Sequence, residues 1–373
     1  MTGNAQGTGN ASTAVPDIFL ADCHLSAARA VLDREIGLAN TRLAFVSGSL
    51  AAGLGHGMSD VDLYVAQFDG IPAARGYRQD DFIIQVNPVP AEQIARIADT
   101  CAGYGDTAAR RPQTLMTDAE LQPALRYAIG TTLVDQGSCL PAAADGIPAV
   151  RQILMNRNAY WLSSFAEDAL GALQTGDALT ALQASLMVTE FALECALAGA
   201  GDVYLGRKFQ LRRLARVPAL RDVRSQSWAC LRQPDASAGL AETAEFVIQR
   251  MLFASHLVSC ALLDGWDKPL SALPAFTDRR AEGGPVRSPW VTPVRFSDSW
   301  GMSGPDTGYR ATAAMIRIWH ALDGSPLDAV HQRFSDSGGA DSARTVIPPE
   351  RLDAAITQLV ENHAAVPDSG SIR

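Results

Sequence analysis

Apolar residues recur at helical spacing over 22–36, "DCHLSAARAVLDREI", behind an aspartate that can serve as N-cap, and 42–47 then reads as a buried strand. After a Gly-Ser turn, alternation returns in "SDVDLYVA" and again in "DFIIQVNPV", which Pro88 brings to an end. Helical spacing follows over 90–100, and "YAIGTTLVDQGS" closes an α+β region. Beyond Pro148 the strand signal stops, and three long helical patterns at 151–173, 178–198 and 240–263 predict a helical bundle. The Pro- and Gly-rich stretch "DKPLSALPAFTDRRAEGGPVRSPW" predicts a linker. After it, "ATAAMIRIWHALDGSPLDAVHQRF" reads as two short helices about an Asp323-Gly324 turn, and "IPPERLDAAITQLVENHAAV" as a third opened by Pro348-Pro349. The expected organisation is a disordered tail 1–16, an α+β domain with a mixed sheet 17–148, a helical domain 149–266, a linker 267–290 and a small winged-helix-like unit 291–373.

Composition agrees with folded domains: 373 residues, 47% hydrophobic and 19% charged, are enough for more than one core. The tail has neither a basic start nor an apolar run, so it does not read as a signal peptide. The longest apolar candidate, 251–263, is short for a bilayer and contains His256, which predicts no membrane segment. Six cysteines without a C-x-x-C pair or a histidine at ligand spacing predict reduced thiols in a cytoplasmic protein. A formal charge of −9 argues against a nucleic-acid partner, because phosphate backbones demand a basic surface. From Pro285 onward there are eight arginines, no lysine and ten acids, which disfavours a DNA-reading winged helix.

The candidate chemistry lies in "FVSGSLAAGLGHGMSDVDLYV". A Gly48-Ser49 turn at a helix start can present backbone N–H groups to an anion. Asp60 and Asp62, two positions apart on a strand, point to one face while Val61 and Leu63 point to the core. Two such carboxylates repel unless a cation sits between them, so the pair suits Mg²⁺ holding a phosphate. An ordinary loop beside a solvated strand start is the alternative, since short Asp-x-Asp matches are common. His56 in the same turn reads as positional, and His256 and His320 as core or helix-face residues.

Taken together, helix, apolar strand, Gly-Ser, ten residues and Asp-apolar-Asp-apolar resemble the nucleotidyltransferase superfamily with the DNA polymerase β type of fold. The likeness is to the small bacterial members that adenylylate aminoglycosides or proteins, and it covers 22–87. The resemblance implies that Gly48 and Ser49 contact the triphosphate of ATP or another NTP and that Asp60 and Asp62 bind Mg²⁺. Family members usually carry a third carboxylate on the next strand, where this chain places Gln85, an amide with no charge and no proton to take. Glu190 and Glu194, four apart on one helical face, are candidates for a base that deprotonates the acceptor; charges on a solvated face are the alternative. In "YLGRKFQLRRLARV", Arg207, Lys208, Arg212, Arg213 and Arg216 form either a cationic wall for the triphosphate or a solvated basic helix. The segment "IRIWHALDGSPLDAVHQRF" with the Pro-Pro helix resembles small winged-helix peptide-recognition domains of peptide-modifying enzymes. The expected activity is therefore Mg²⁺-dependent transfer of an NMP, AMP foremost, to a small-molecule, peptide or protein acceptor. A nucleotide-binding regulatory or scaffold protein with reduced catalysis is the alternative.

Overall fold

Strand β1 (Thr41–Ser47) is hydrogen-bonded on both sides, and the first unit of the chain is built outward from it. The computed structural model describes residues 18–234, 239–277, 283–305, 307–335 and 346–367; the expected tail 1–16 lies outside them. The chain parts into two units, Met1–Ala91 with Ile129–Ser138, and Glu92–Ala128 with Cys139–Arg373. The class is α+β, with a mixed sheet followed by a helical region.

In the first unit, α1 (Asp22–Val31) runs on into a wider π turn at Leu32–Ile36. Its N-cap is Ala21 rather than Asp22: the Ala21 N–H donates to His24 Nδ1 at 3.0 Å, and Asp22 occupies the first turn, where a negative charge favours the helix dipole. One turn of helix, α2 (Gly48–Ala51), follows β1; then come β2 (Val61–Gln67), β3 (Arg75–Gln79), β4 (Phe82–Pro88) and, much later in sequence, β5 (Thr131–Asp135). The strand order is β3-β4-β2-β1-β5. Only β2 and β4 run parallel; the other pairs are antiparallel. One face of the sheet carries Ala44, Val46, Val61, Leu63, Val65, Ile84 and Val86, buried under Ala27, Ala28 and Val31 of α1. Period-2 alternation therefore sends Ser47, Asp62, Tyr64, Gln85 and Asn87 to the opposite face.

The second unit opens with α3 (Ala91–Ala102) and α4 (Asp118–Ala128) and continues with three long helices, α5 (Ile147–Gln174), α6 (Ala178–Gly199) and α9 (Leu240–Asp264). Between α6 and α9 lie α7 (Gln210–Arg216) and α8 (Arg224–Leu231). The three predicted long helices are thus present, each within a few residues of its expected ends. The membrane reading needs correction on length: α6 and α9, at 22 and 25 residues, are long and apolar enough to cross a bilayer. Of their most apolar windows, 67% and 83% are buried within the protein, because α5, α6 and α9 pack on one another and each is apolar most of the way round.

Where the sequence predicts a linker, β6 (Val286–Arg287) already begins, followed by an antiparallel sheet of β7 (Thr292–Arg295), β8 (Trp300–Gly304) and β9 (Thr307–Ala311). Helices α10 (Ala313–Ala321), α11 (Leu327–Ser335) and α12 (Pro349–Glu361) come next, and β10 (Ala365–Val366) returns to pair with β6. Trp319 is the centre of this part, fully buried among Ile316, Val330, Leu352 and Leu359, with its Nε1–H donating to Ala364 O at 2.7 Å. The expected separation at 266/267 differs from the observed division, because β7 packs on both α5 and α9.

Candidate functional site

The first unit assembles its polar cluster through strand register. Asp62 lies opposite Ser47 of β1 on one side and opposite Gln85 of β4 on the other. Paired residues on neighbouring strands leave the sheet about 4.8 Å apart on the same face, close enough for their oxygens to share one cation. Asn87, two residues along β4, donates Nδ2–H to Asp62 Oδ1 at 3.4 Å. Asp60 sits exposed just ahead of β2, one strand repeat (about 6.7 Å) from Asp62. Val61 and Leu63, between and beyond them, are fully buried, as the alternation predicts.

Gly48 is required where it stands. Its φ is +89°, and a Cβ there would overlap Asp62 Oδ2 and lie 2.9 Å from Asp62 Cγ. The missing side chain is the space into which the Asp62 carboxylate fits. Ser49 follows in α2, half-buried. At four residues α2 is too short for a helix macrodipole to matter, so the turn offers only its local N–H groups and the Ser49 hydroxyl. His56 shapes the next turn: its N–H donates to Ser59 Oγ at 2.9 Å, and its Nδ1 accepts from the Met58 N–H at 3.2 Å.

These residues form a donor set of two carboxylates and one amide oxygen beside a backbone turn. Mg²⁺ commonly takes one or two protein carboxylates and fills its octahedron with water and phosphate oxygens, so the residues fit that ion. A site with two formal charges and a neutral third ligand is weaker than one with three carboxylates. Asp80 and Asp81 do not substitute for the missing charge. They form the tight turn joining β3 to β4, and Asp81 is four positions, about 13 Å, from Gln85.

Glu190, Glu194, Arg207 and Lys208 all belong to the second unit, around a cleft of 460 Å³ that Trp161, Phe165 and Phe191 also line. Lys208 lies just past the residues that line it. Glu190 forms an ion pair with Arg207, whose guanidinium lies 5.2 Å from the centre of the Phe191 ring. Burial pushes the Glu190 carboxyl above the usual carboxylate range, and the Arg207 charge works against that rise. Glu194 accepts from Arg213 at 2.8 Å and from Gln210 Nε2 at 2.9 Å.

The basic cluster therefore divides. Arg213, 1% exposed, bridges Glu194 and Asp202 and so ties α7 to α6, and Arg216 also pairs with Asp202 at 2.7 Å, in the segment just after α6. Arg207 and Lys208 are the exposed members, with Lys208 Nζ 4.9 Å from the Phe209 ring centre. We expect Arg213→Met to lower unfolding stability by about 3–5 kcal/mol, because it leaves Glu194 without its counter-charge and Asp202 with Arg216 alone. Lys208→Ala should leave the denaturation midpoint in place. A midpoint that drops equally in both variants would remove this distinction.

No protein-family model matches the chain, and no curated protein matches it in sequence. Among solved structures the chain is similar to the crystal structure of a nucleotidyltransferase-like protein from Exiguobacterium sibiricum. The TM-score is 0.36 and the identity 12%, with 64% of this chain and 76% of that chain covered. So loose an overlap leaves the functional reading to rest on the residues of this chain.

Proposed function

We propose that the protein transfers a nucleoside monophosphate, AMP foremost, from an NTP to a small-molecule, peptide or protein acceptor with release of pyrophosphate and with Mg²⁺ as cofactor. The observation that carries the reading is the seating of Asp62, in register between Ser47 and Gln85 and pressed into the space that Gly48 leaves open. Asp60 and Asp62 would hold Mg²⁺, and Gly48 and Ser49 would contact the phosphates. Bound there, Mg²⁺ would supply charge neutralisation to the phosphate oxygens. Within the second unit, burial raises the proton affinity of both Glu190 and Glu194. Glu194 is engaged by Arg213 and Gln210. The second unit's own cleft, with its aromatic lining and Arg207, suits a molecule with an apolar body and an acidic or polar end.

Gln85 favours a second reading, a nucleotide-binding protein with reduced catalysis, because a neutral amide stands in register with Asp62. One experiment separates the two. The chain is incubated with each NTP and Mg²⁺ against peptide, protein and aminohydroxyl acceptors, while pyrophosphate release and nucleotide-sized mass additions are measured. Transfer in the wild type supports the first reading. If only Gln85→Glu transfers, the second holds; if neither binds nucleotide in a Mg²⁺-dependent way, both fail.

A further inference from the structure

The expectation that no cysteine has a histidine at ligand spacing is corrected by the fold. His256 and Cys260 are four residues apart on α9, so their side chains lie on one face of the helix. His320, in the last turn of α10, meets them there. His256 Nδ1 is 3.0 Å from His320 Nε2, and Cys260 Sγ is 4.0 Å from the same nitrogen. The three ligand atoms lie within 4.8 Å of one another.

We propose that His256, Cys260 and His320 bind one thiophilic transition-metal cation, Zn²⁺ or Cu⁺, which staples α9 to α10. A tetrahedral zinc with ordinary Zn–N and Zn–S lengths separates two nitrogens by about 3.3 Å and nitrogen from sulfur by about 3.5 Å. The His256–His320 and Cys260–His320 edges lie within about half an ångström of those lengths. The hydrogen bond on the far side of His256 points the same way: its Nε2–H donates to Pro274 O at 2.9 Å. That bond fixes the tautomer and turns a lone pair on Nδ1 towards the cluster, the arrangement usual for a ligating histidine. His320 Nε2 then carries the proton shared between the rings.

The surroundings favour neutral ligands. Burial lowers His256 to about 4 and holds His320 well below the usual imidazole range, so both rings are neutral at neutral pH, the form that coordinates metals. Burial pushes the Cys260 thiol up to about 12, so without a cation it keeps its proton. Two positive side chains lie near. Arg287 donates to Ser255 Oγ and to the carbonyl oxygens of His320 and Leu252, and Arg317 pairs with Asp264 at 2.7 Å. Their field opposes an uncompensated dication, and a thiolate offsets one charge. The cluster's donor set, two imidazoles and a thiol with no carboxylate, excludes Mg²⁺ and Ca²⁺ and selects a soft or borderline ion. On binding, the Cys260 S–H bond is replaced by a metal–sulfur bond and its proton leaves to solvent. The shared imidazole proton moves from Nε2 to Nδ1 of His320, so one proton is released per metal.

The test uses the full-length chain, chelator-stripped and reduced. Titration with Co²⁺ should give one equivalent of a thiolate-to-cobalt charge-transfer band, displaced by Zn²⁺, and Zn²⁺ or Cu⁺ should raise the melting temperature while Mg²⁺ leaves the band absent. Cys260→Ser and His320→Gln should each lose the band, and Cys23→Ser and Cys139→Ser, which change exposed thiols, should keep it. If Cys260→Ser fails to fold, wild type and His320→Gln decide. A wild type with no band and no thermal shift from Zn²⁺ or Cu⁺ overturns the site and leaves two hydrogen-bonded core histidines. A band that survives in His320→Gln or Cys260→Ser overturns it as well.

Discussion

Asp62→Asn should reduce Mg²⁺-dependent nucleotide transfer by at least about 100-fold in kcat/KM, equivalent to about 2.7 kcal/mol of lost transition-state stabilisation, while the melting temperature holds or rises. The two halves of this expectation have one cause. Asp62 is half-buried two residues from Asp60, and without a cation the pair is an electrostatic liability to the fold. The amide keeps the volume, and its oxygen can still accept from Asn87, so the sheet has no reason to rearrange. Activity lost together with stability kept marks a residue retained for function. The same holds for Asp60→Asn at the exposed position. Nucleotide affinity in Mg²⁺ that is unchanged in both variants would sink the assignment.

Gly48→Ala should do damage of a different kind. A side chain at φ +89° is strained by about 1–2 kcal/mol, and the new methyl overlaps the Asp62 carboxylate. Either the turn between β1 and α2 shifts or Asp62 is displaced, and both outcomes remove nucleotide binding. Gly57→Ala is the control: it lies in the same glycine-rich segment, and a Cβ there meets nothing within 4 Å. Denaturation midpoints and Mg²⁺-dependent nucleotide binding, measured on both variants, check the contrast. Equal behaviour of the two would mean that the space at Gly48 has no special role.

The elements that were legible in the sequence bury one continuous apolar stripe or face. Strand β1 is a nearly continuous buried run, β2 and β4 alternate because one face is packed under α1, and α5, α6 and α9 are long and apolar. Alternation gave the face on which Gln85 lies; its place beside Asp62 was implied by the family resemblance, and the strand pairing sets the two opposite each other. Strand β3 was not legible: "RGYRQ" is an edge strand with exposed or half-buried side chains, and nothing in its pattern requires pairing. Helix α4 hides behind Pro123, β6 lies inside the stretch that reads as a linker, and β7 to β9 are short strands amid Pro, Gly and Ser with no clear alternation. The ion-pair partners of the basic segment depend on how α6 meets α7, which local periodicity does not encode. The histidine–cysteine cluster could have been half-read, since His-x-x-x-Cys on a helix is ligand spacing. His320, sixty positions beyond Cys260, has no local signal at all.

The first unit is written in two pieces, with residues of the other unit between Ala91 and Ile129. During synthesis β1, β2, β3 and β4 emerge first, and β1 waits with one edge unpaired until β5 arrives at Asp135. At ribosomal speeds of about 5–20 residues per second, that interval is about 2–9 s. An apolar strand with an open edge is a template for the wrong partner, so chains truncated after Ala91 should aggregate where chains extending past Ser138 do not. The order in which the segments leave the ribosome thus sets a window of vulnerability in the life of each newly made molecule.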